Sequence, residues 1–304
     1  MQICTIEGMV HKPSAHRRYM EGAPWRIFQR NGVEVTIDVE GGITIDGHTA
    51  KPFPCEITHA TLCDSGIVAT WVDHELRLAR MALLSLDEEL KNGPTKAELR
   101  INRDLMVSGA EWCHIVDAEP LAVESSGDKI VFALWSRGIY CIDSSANEMW
   151  RLPLFKDGEK APPRSNEVSS LTISGDDIIV WSRGGDYRRI SLDEGNVLSE
   201  NSIGVECDLE KVFNSGDKYL LSSKDGWSWE LVEDTITLAR KFRGTIQDAI
   251  HDGNDWRIIS WREDTLLRGE SKTRDELGVQ LIMNDDSTWM VLDNQGNITP
   301  HMNE

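Results

Sequence analysis

The sequence has little of what most functional classes require. Its six cysteines, Cys4, Cys55, Cys63, Cys113, Cys141 and Cys207, form no CxxC pair, no adjacent pair and no CxxCH run. That spacing excludes the common zinc-ribbon, thioredoxin-like and c-type haem signatures. The thiols read as reduced, buried, small apolar groups. No stretch approaches the ~18 apolar residues of a membrane-spanning helix. The opening MQICTIEGMV lacks the basic start, long apolar run and small-residue cleavage site of a secretory signal, so a cytoplasmic protein is expected. Basic residues are also scarce, with 32 Lys and Arg against 51 Asp and Glu for a formal net charge of -19. Such a field repels phosphate backbones and anionic lipid, so neither nucleic acid nor a membrane surface is the expected partner. A basic protein or a cation is the electrostatically easy one.

Catalytic and metal patterns are missing as well. His74-Glu75 opens like a zinc-protease helix, but the second histidine, required four positions after the first, is replaced by Leu78. His11, His16, His48, His59, His114, His251 and His301 show no ligand spacing and read as ordinary surface or core histidines. Ser223, Asp225, Gly226 and Trp227 resemble an Asp-box turn that is one residue short, which suits a stable hairpin. No catalytic residue, no metal and no cofactor is expected.

What the chain does have is a repeat. Ser126-Gly127-Asp128 precedes KIVFALWS, Ser174-Gly175-Asp176 precedes DIIVWS, and Ser215-Gly216-Asp217 precedes KYLLSS. Weaker copies sit at Asn31-Gly32, Ser65-Gly66, Asp252-Gly253 and Asn284-Asp285. The anchors at 32, 66, 127, 175, 216, 253 and 285 are separated by 34, 61, 48, 41, 37 and 32 residues. A four-stranded propeller blade takes roughly 40 to 50 residues. PLAVESS, KIVFALWS, GIYCIDSS and EMWRLPLF show one whole copy, with turn residues between strands. The expectation is an all-β, seven-bladed β-propeller of four-stranded blades occupying residues 1–304 as one domain, with six or eight blades as alternatives. A ring must close or leave open sheet edges. The last copy has room for three strands, so an amino-terminal strand at about 2–10 is expected to complete it. The long gap marks an insert at about 84–112, where LSLDEELKN suggests a short helix, and residues 11–24 read as a loop crossing one face.

Residues 127–150, running from Gly127-Asp128-Lys129-Ile130 through Gly138-Ile139-Tyr140-Cys141-Ile142-Asp143 to Trp150, resemble the PQQ-like propeller repeat. The next copy keeps Gly175, DIIVW, Gly184 and ISLDEGNVL. The resemblance is at fold level, shared with WD-type propellers. Quinone-using dehydrogenases of that family carry adjacent cysteines, a calcium or lanthanide site and an export signal. The missing cysteine pair and signal mean that the resemblance implies a scaffold rather than oxidation chemistry.

In a propeller the turn joining second and third strands shares a face with the loops between blades. Superposing Trp135-Ser136-Arg137-Gly138 on Trp181-Ser182-Arg183-Gly184, with Ser223-Lys224-Asp225-Gly226 and Trp261-Arg262-Glu263-Asp264 following, places Arg137, Arg183, Lys224 and Arg262 in a basic arc. Asp38, Asp73 and Asp293 would form an acidic arc. A basic arc attracts an acidic peptide or an anionic ligand; as ordinary turn residues the same side chains are only a relic of duplication. Trp71, Trp135, Trp181, Trp261 and Trp289 fall in or just after second strands, where they suit packing between blades. At the channel rim, Trp135, Trp181 and Trp261 would instead anchor a partner. Two functions follow: a non-catalytic protein-interaction scaffold or complex subunit, or an enzyme or small-ligand sensor with its site at the channel mouth.

Overall fold

Each strong Ser-Gly-Asp copy folds as a two-residue hairpin, with Ser126 paired to Lys129, Ser174 to Asp177 and Ser215 to Lys218. Gly127, Gly175 and Gly216 sit at φ of +62°, +62° and +61°. Glycine suits the first position of a type II′ turn, which matches the right-handed twist of the strands.

The computed structural model describes residues 22–30, 33–102, 105–156, 162–284 and 287–302. They form seven blades, each a meander whose strands pair in chain order. Blade 1 contains β1 (Pro24–Arg30), β2 (Val33–Asp38), β3 (Ile43–Ile45) and β4 (His48–Ala50). Blade 2 contains β5 (His59–Leu62), β6 (Gly66–Asp73), β7 (Leu78–Ser85) and β8 (Ala110–Val116), with α1 (Lys96–Ile101) between β7 and β8. Blade 3 contains β9 (Pro120–Ser126), β10 (Lys129–Leu134), β11 (Gly138–Asp143) and β12 (Glu148–Leu152). Blade 4 contains β13 (Val168–Ser174), β14 (Asp177–Ser182), β15 (Asp186–Ser191) and β16 (Val197–Ser202). Blade 5 contains β17 (Leu209–Ser215), β18 (Lys218–Ser223), β19 (Trp227–Val232) and β20 (Thr235–Lys241). Blade 6 contains β21 (Asp248–His251), β22 (Trp256–Ser260), β23 (Glu263–Leu266) and β24 (Ser271–Thr273). Blade 7 has three strands among the described residues, β25 (Gly278–Met283), β26 (Trp289–Asp293) and β27 (Ile298–Pro300).

First strands touch first strands around the ring, β5 to β9, β9 to β13, β13 to β17, β17 to β21, β21 to β25, and β25 back to β1. They are therefore the innermost strands. Second strands are covered on both faces; β10, β14 and β18 are buried at every position after the first, which explains their unbroken apolar runs. Outermost strands face water, as in β16, which is exposed throughout, and β20, which alternates exposed and half-buried positions.

The core lies between blades. Val68, Met81, Leu83 and Trp112 of blade 2 pack on Val123, Ile130 and Phe132 of blade 3. Blade 3 in turn offers Ala122, Val131, Ala133, Ile139 and Cys141 to Leu171, Ile178 and Val180 of blade 4. The ring closes between blades 7 and 1 through the Gln280 amide, whose Oε1 accepts from Ile27 N at 2.7 Å and whose Nε2 donates to Ile27 O at 2.9 Å. The expected amino-terminal clasp at about 2–10 lies outside the described residues, as do residues 11–21 of the expected loop and the Asn31-Gly32 anchor.

The helix expected at LSLDEELKN is not formed. Leu84 and Ser85 finish β7, and Leu84 is buried in the core between blades 1 and 2. Leu84 and Leu86 fit the two-residue period of a strand as well as a helical one, so periodicity alone did not decide. The helix starts at Lys96, where Thr95 caps it and Glu98 Oε2 accepts in return from Thr95 N at 2.8 Å. This capping box was the informative signal.

An ion pair pins the last two blades. Arg274 Nη1 lies 2.5 Å from Asp264 Oδ2, with both side chains buried, and Arg274 also binds the Thr299 hydroxyl beside β27 residues. Met302 N donates to the same Asp264 oxygen at 2.8 Å. Arg274→Met should lower the unfolding free energy by about 3–5 kcal/mol, because it strands a buried carboxylate. Adding Asp264→Asn should recover part of the loss in urea denaturation.

Candidate functional site

Alternation of strand direction places the turns joining second and third strands, together with the crossings between blades, on one face. Closing hydrogen bonds give the correspondence between turns: Arg137 N donates to Leu134 O at 3.1 Å, Gly185 N to Ser182 O at 3.1 Å, and Gly226 N to Ser223 O at 3.0 Å. Trp135 therefore matches Arg183 and Lys224, whereas Trp181 matches Ala133. The sequence superposition of Trp135 on Trp181 is two residues out of step, because β10 and β14 each run six residues from hairpin to turn, so that Trp135 lies in the turn while Trp181 is the fifth residue of its strand.

Trp181 is accordingly removed from the face. It is fully buried in β14, stacked on Tyr187 at 4.6 Å between ring centroids and near Tyr219 at 5.3 Å, and its Nε1 donates to Thr172 Oγ1 at 3.0 Å. Trp71 is buried in the same manner, and Trp289 is half-buried. Trp135 and Trp261 sit in their turns and are 49% and 57% exposed. Their blades, third and sixth in a ring of seven, lie on opposite sides of the channel mouth.

The cations of the expected arc differ from one another. Arg183 lies 2.6 Å from Asp208 and 3.9 Å from Glu167. Arg262 donates to the backbone oxygen of Asp275. Arg137 and Lys224 are exposed and make no ion pair among the described residues. Glu167 also accepts from Trp135 Nε1 at 2.9 Å and from Arg164 Nε at 2.8 Å. Burial opposes its ionisation, but the Arg164 and Trp135 hydrogen bonds, with the Arg164 and Arg183 charges, outweigh it and hold the carboxyl below its usual range.

The expected acidic arc does not form as a patch, because its carboxylates serve their own turns. Asp38 Oδ1 accepts from Glu40 N and Gly42 N, both at 2.8 Å. Asp73 accepts from Glu75 N and Leu76 N, and Asp293 from Gln295 N and Asn297 N. Asp38 and Asp293 are buried.

A second candidate, absent from the sequence reading, lines the channel. On the inner strands Ile27, Ala60, Val123, Leu171, Val212, Ala249 and Leu281 are buried, and those between blades 1 and 7 pack on the preceding blade. Of the residues just before them, Arg26, His59, Ala122, Ser170, Lys211, Asp248 and Gln280, five contact the following blade: His59, Ala122, Lys211, Asp248 and Gln280. His59 Nε2 lies 3.2 Å from Pro120 O, Lys211 Nζ donates to Gln247 O at 3.1 Å, and Leu281 N donates to Asp248 Oδ2 at 2.8 Å. One position further along β9, Glu124 accepts from Thr61 Oγ1 at 3.3 Å.

Burial dominates the protonation of this layer. It lowers the pKa of His59 against the Pro120 contact, and that of Lys211 against Asp248. It raises Glu124 against Arg26 and Thr61, and Asp248 against the Leu281 hydrogen bond and Arg26. Among the described residues no cluster of three His, Cys, Asp or Glu side chains could hold a metal ion. The missed signal was a polar residue directly before the apolar anchor of first strands.

These features define a seven-bladed β-propeller with charged groups on its inner strands and a face bearing exposed Trp135, Trp227 and Trp261. Among solved structures the chain is similar to the WD40 β-propeller domain of Doa1, with a TM-score of 0.65, 8% identity and 95% of each chain covered. It is likewise similar to the Cps50 (Swd1) β-propeller domain of Myceliophteria thermophila, at 0.63 and 11%, covering 92% of this chain and 96% of that one. BamB from Moraxella catarrhalis aligns at 0.58 and 12%, covering 96% and 97%. Such identities show the fold alone. No protein-family model and no curated protein matches the chain. The propeller fold is thus shown, and the PQQ-like repeat is not.

Two pH effects follow. His59, with its folded pKa below the ordinary value, favours the neutral form when folded. Its contribution is complete above the unfolded pKa of about 6.5 and is lost as pH falls, so thermal melts should show stability declining below that pH and His59→Gln should blunt the decline. Glu124, with its folded pKa raised, costs stability as pH climbs from its unfolded value of about 4.3. Glu124→Gln should raise the melting temperature at pH 7 by about 2–4 °C, with no gain at pH 4.

Proposed function

We propose that this protein is a non-catalytic interaction scaffold that docks a segment of another protein across its channel mouth. The observation that carries the reading is the exposure of Trp135 and Trp261 on opposite sides of that mouth, while Trp71, Trp181 and Trp256 are buried. Tryptophan is the residue most enriched at interface hot spots, and it brings a large contact area with few torsions to freeze. Arg137 beside Trp135 and Lys224 two blades on favour acidic side chains in the partner, which the rest of this strongly acidic surface repels. Arg183 and Arg262, held by Asp208 and by Asp275 O, shape the face rather than meet the partner. Among the described residues Cys55, Cys113, Cys141 and Cys207 are free thiols, with burial pushing Cys141 up to about 12. Unpaired thiols fit the cytoplasm, where disulfides rarely form.

Affinity capture from native extract should retrieve a stoichiometric partner that Trp135→Ala and Trp261→Ala each weaken by about 30-fold, the loss of ~2 kcal/mol for an anchor. Arg137→Glu and Lys224→Glu should weaken it further, mainly through a slower on-rate at low salt. Capture unchanged by both tryptophan substitutions would overturn the reading.

A further inference from the structure

The turns that follow Asp38, Asp143 and Asp293 are built to one pattern, and the first is left open. Asp143 Oδ1 accepts from Ser145 N at 2.9 Å and Asn147 N at 2.8 Å, and Asp293 Oδ1 accepts from Gln295 N at 2.8 Å and Asn297 N at 2.9 Å. Asp38 Oδ1 does the same with Glu40 N and Gly42 N. In all of them the aspartate N–H closes the turn on the carbonyl of Gly42, Asn147 or Asn297. The second carboxylate oxygen sets them apart. Asn147 Nδ2 donates to Asp143 Oδ2 at 2.9 Å, and Asn297 Nδ2 to Asp293 Oδ2 at 3.0 Å. Blade 1 has Gly42 at that position, and among the described residues Asp38 Oδ2 receives neither a hydrogen bond nor an ion pair.

Asp38 is only 3% exposed, so this oxygen carries charge away from bulk water without a partner, which costs free energy. It is not sealed off. Asp38 and Gly42 both line a cavity of about 400 Å³ between blade 1 and the insert of blade 2, a volume within the range of small-ligand sites. The Gly42 backbone is not in the left-handed region, so it admits the asparagine of the sister turns. The Asp38 carboxylate instead leans over the glycine on the side of the cavity, where a Cβ at Gly42 would press on Oδ2.

The walls select the ligand. Buried Ala50 and Phe53 and half-buried Pro54 and Pro94 supply apolar surface, which suits an alkyl stem. Lys51, also on the wall, is already paired with Glu40 at 3.1 Å, so Asp38 is the charge left to balance, and a net charge of -19 draws cations to the protein. One open oxygen suits a point-like ammonium; a guanidinium fork needs two, and Oδ1 already holds Glu40 N and Gly42 N. We propose that this cavity binds a primary alkylammonium group, with its nitrogen on Asp38 Oδ2 and its stem along Pro54 and Pro94. A free aliphatic amine and a lysine side chain of another protein both carry that group. The site lies on blades 1 and 2, away from Trp135 and Trp261 on blades 3 and 6, and stands independently of the docking reading.

The test is thermal shift and calorimetric titration of the full chain with n-pentylammonium and Nα-acetyl-lysine methylamide, alongside n-butylguanidinium and neutral 1-pentanol. The ammonium probes should raise the melting temperature and bind about tenfold or more tighter than the guanidinium or the alcohol. Tighter binding of pentylammonium assigns the site to a free amine, and tighter binding of the lysine probe to a side chain. Asp38→Asn keeps an oxygen for Glu40 N and Gly42 N while removing the charge, and should weaken binding by about tenfold or more. Gly42→Asn, which gives blade 1 the amide of its sister turns, should abolish binding while the melting temperature without ligand is kept. A Trp135→Ala, Trp261→Ala double variant should bind the ammonium probes unchanged. Stabilisation by neither ammonium probe, an equal response to the guanidinium or the alcohol, or undiminished binding by a folded Asp38→Asn would overturn the proposal.

Discussion

Among the described residues the seven sheets share no backbone ladder with one another, so everything about this molecule depends on what joins blade to blade. Within a blade, pairing is local and follows chain order. Between blades, cohesion comes from wedge-filling side chains and from polar groups that cross the gap. The inner layer shows the rule most clearly: His59 reaches Pro120 O, Lys211 reaches Gln247 O, Asp248 receives Leu281 N, and Gln280 grips Ile27. Each joins its own inner strand to the next. The last of these closes the ring, with sequence positions 253 residues apart.

The same constraint explains why tryptophans have two fates. A flat sheet packed on both faces accepts a large ring only where the neighbouring blade leaves a wedge, as around Trp181 between Tyr187 and Tyr219. Two residues further along the second strand the chain turns, and the neighbour no longer covers it. Trp135 therefore meets water and Glu167 instead of a core. A shift of two positions preserves strand parity yet changes burial completely.

Charge behaves in the same way. The net charge of -19 suggests extended acidic surfaces, yet Asp38 and Asp293 are buried hydrogen-bond acceptors that hold their own turns. Other carboxylates are matched by arginines, Glu230 by Arg268 of the next blade at 2.5 Å and Asp264 by Arg274 at the end of its own blade at 2.5 Å. On the inner strands Glu124 is held instead by the Thr61 hydroxyl of the preceding blade at 3.3 Å.

The sequence by itself determined the blades, because their signals are local. The Ser-Gly-Asp turns require glycine at positive φ, second strands buried on both faces must be apolar throughout, and both signals survive drift between copies. Seven anchors therefore gave seven blades, and PLAVESS through EMWRLPLF gave their strand order almost to the residue. Only the tertiary structure decided which residues face what. The alignment of Trp135 with Trp181, the acidic arc and the helix at LSLDEELKN all assumed that equal spacing means equal environment. Environment is set by the neighbouring blade, which lies a repeat away in sequence. The inner-strand contacts were invisible for the same reason: His59, Lys211, Asp248 and Gln280 each meet the following blade only because the blades close into a ring around one axis.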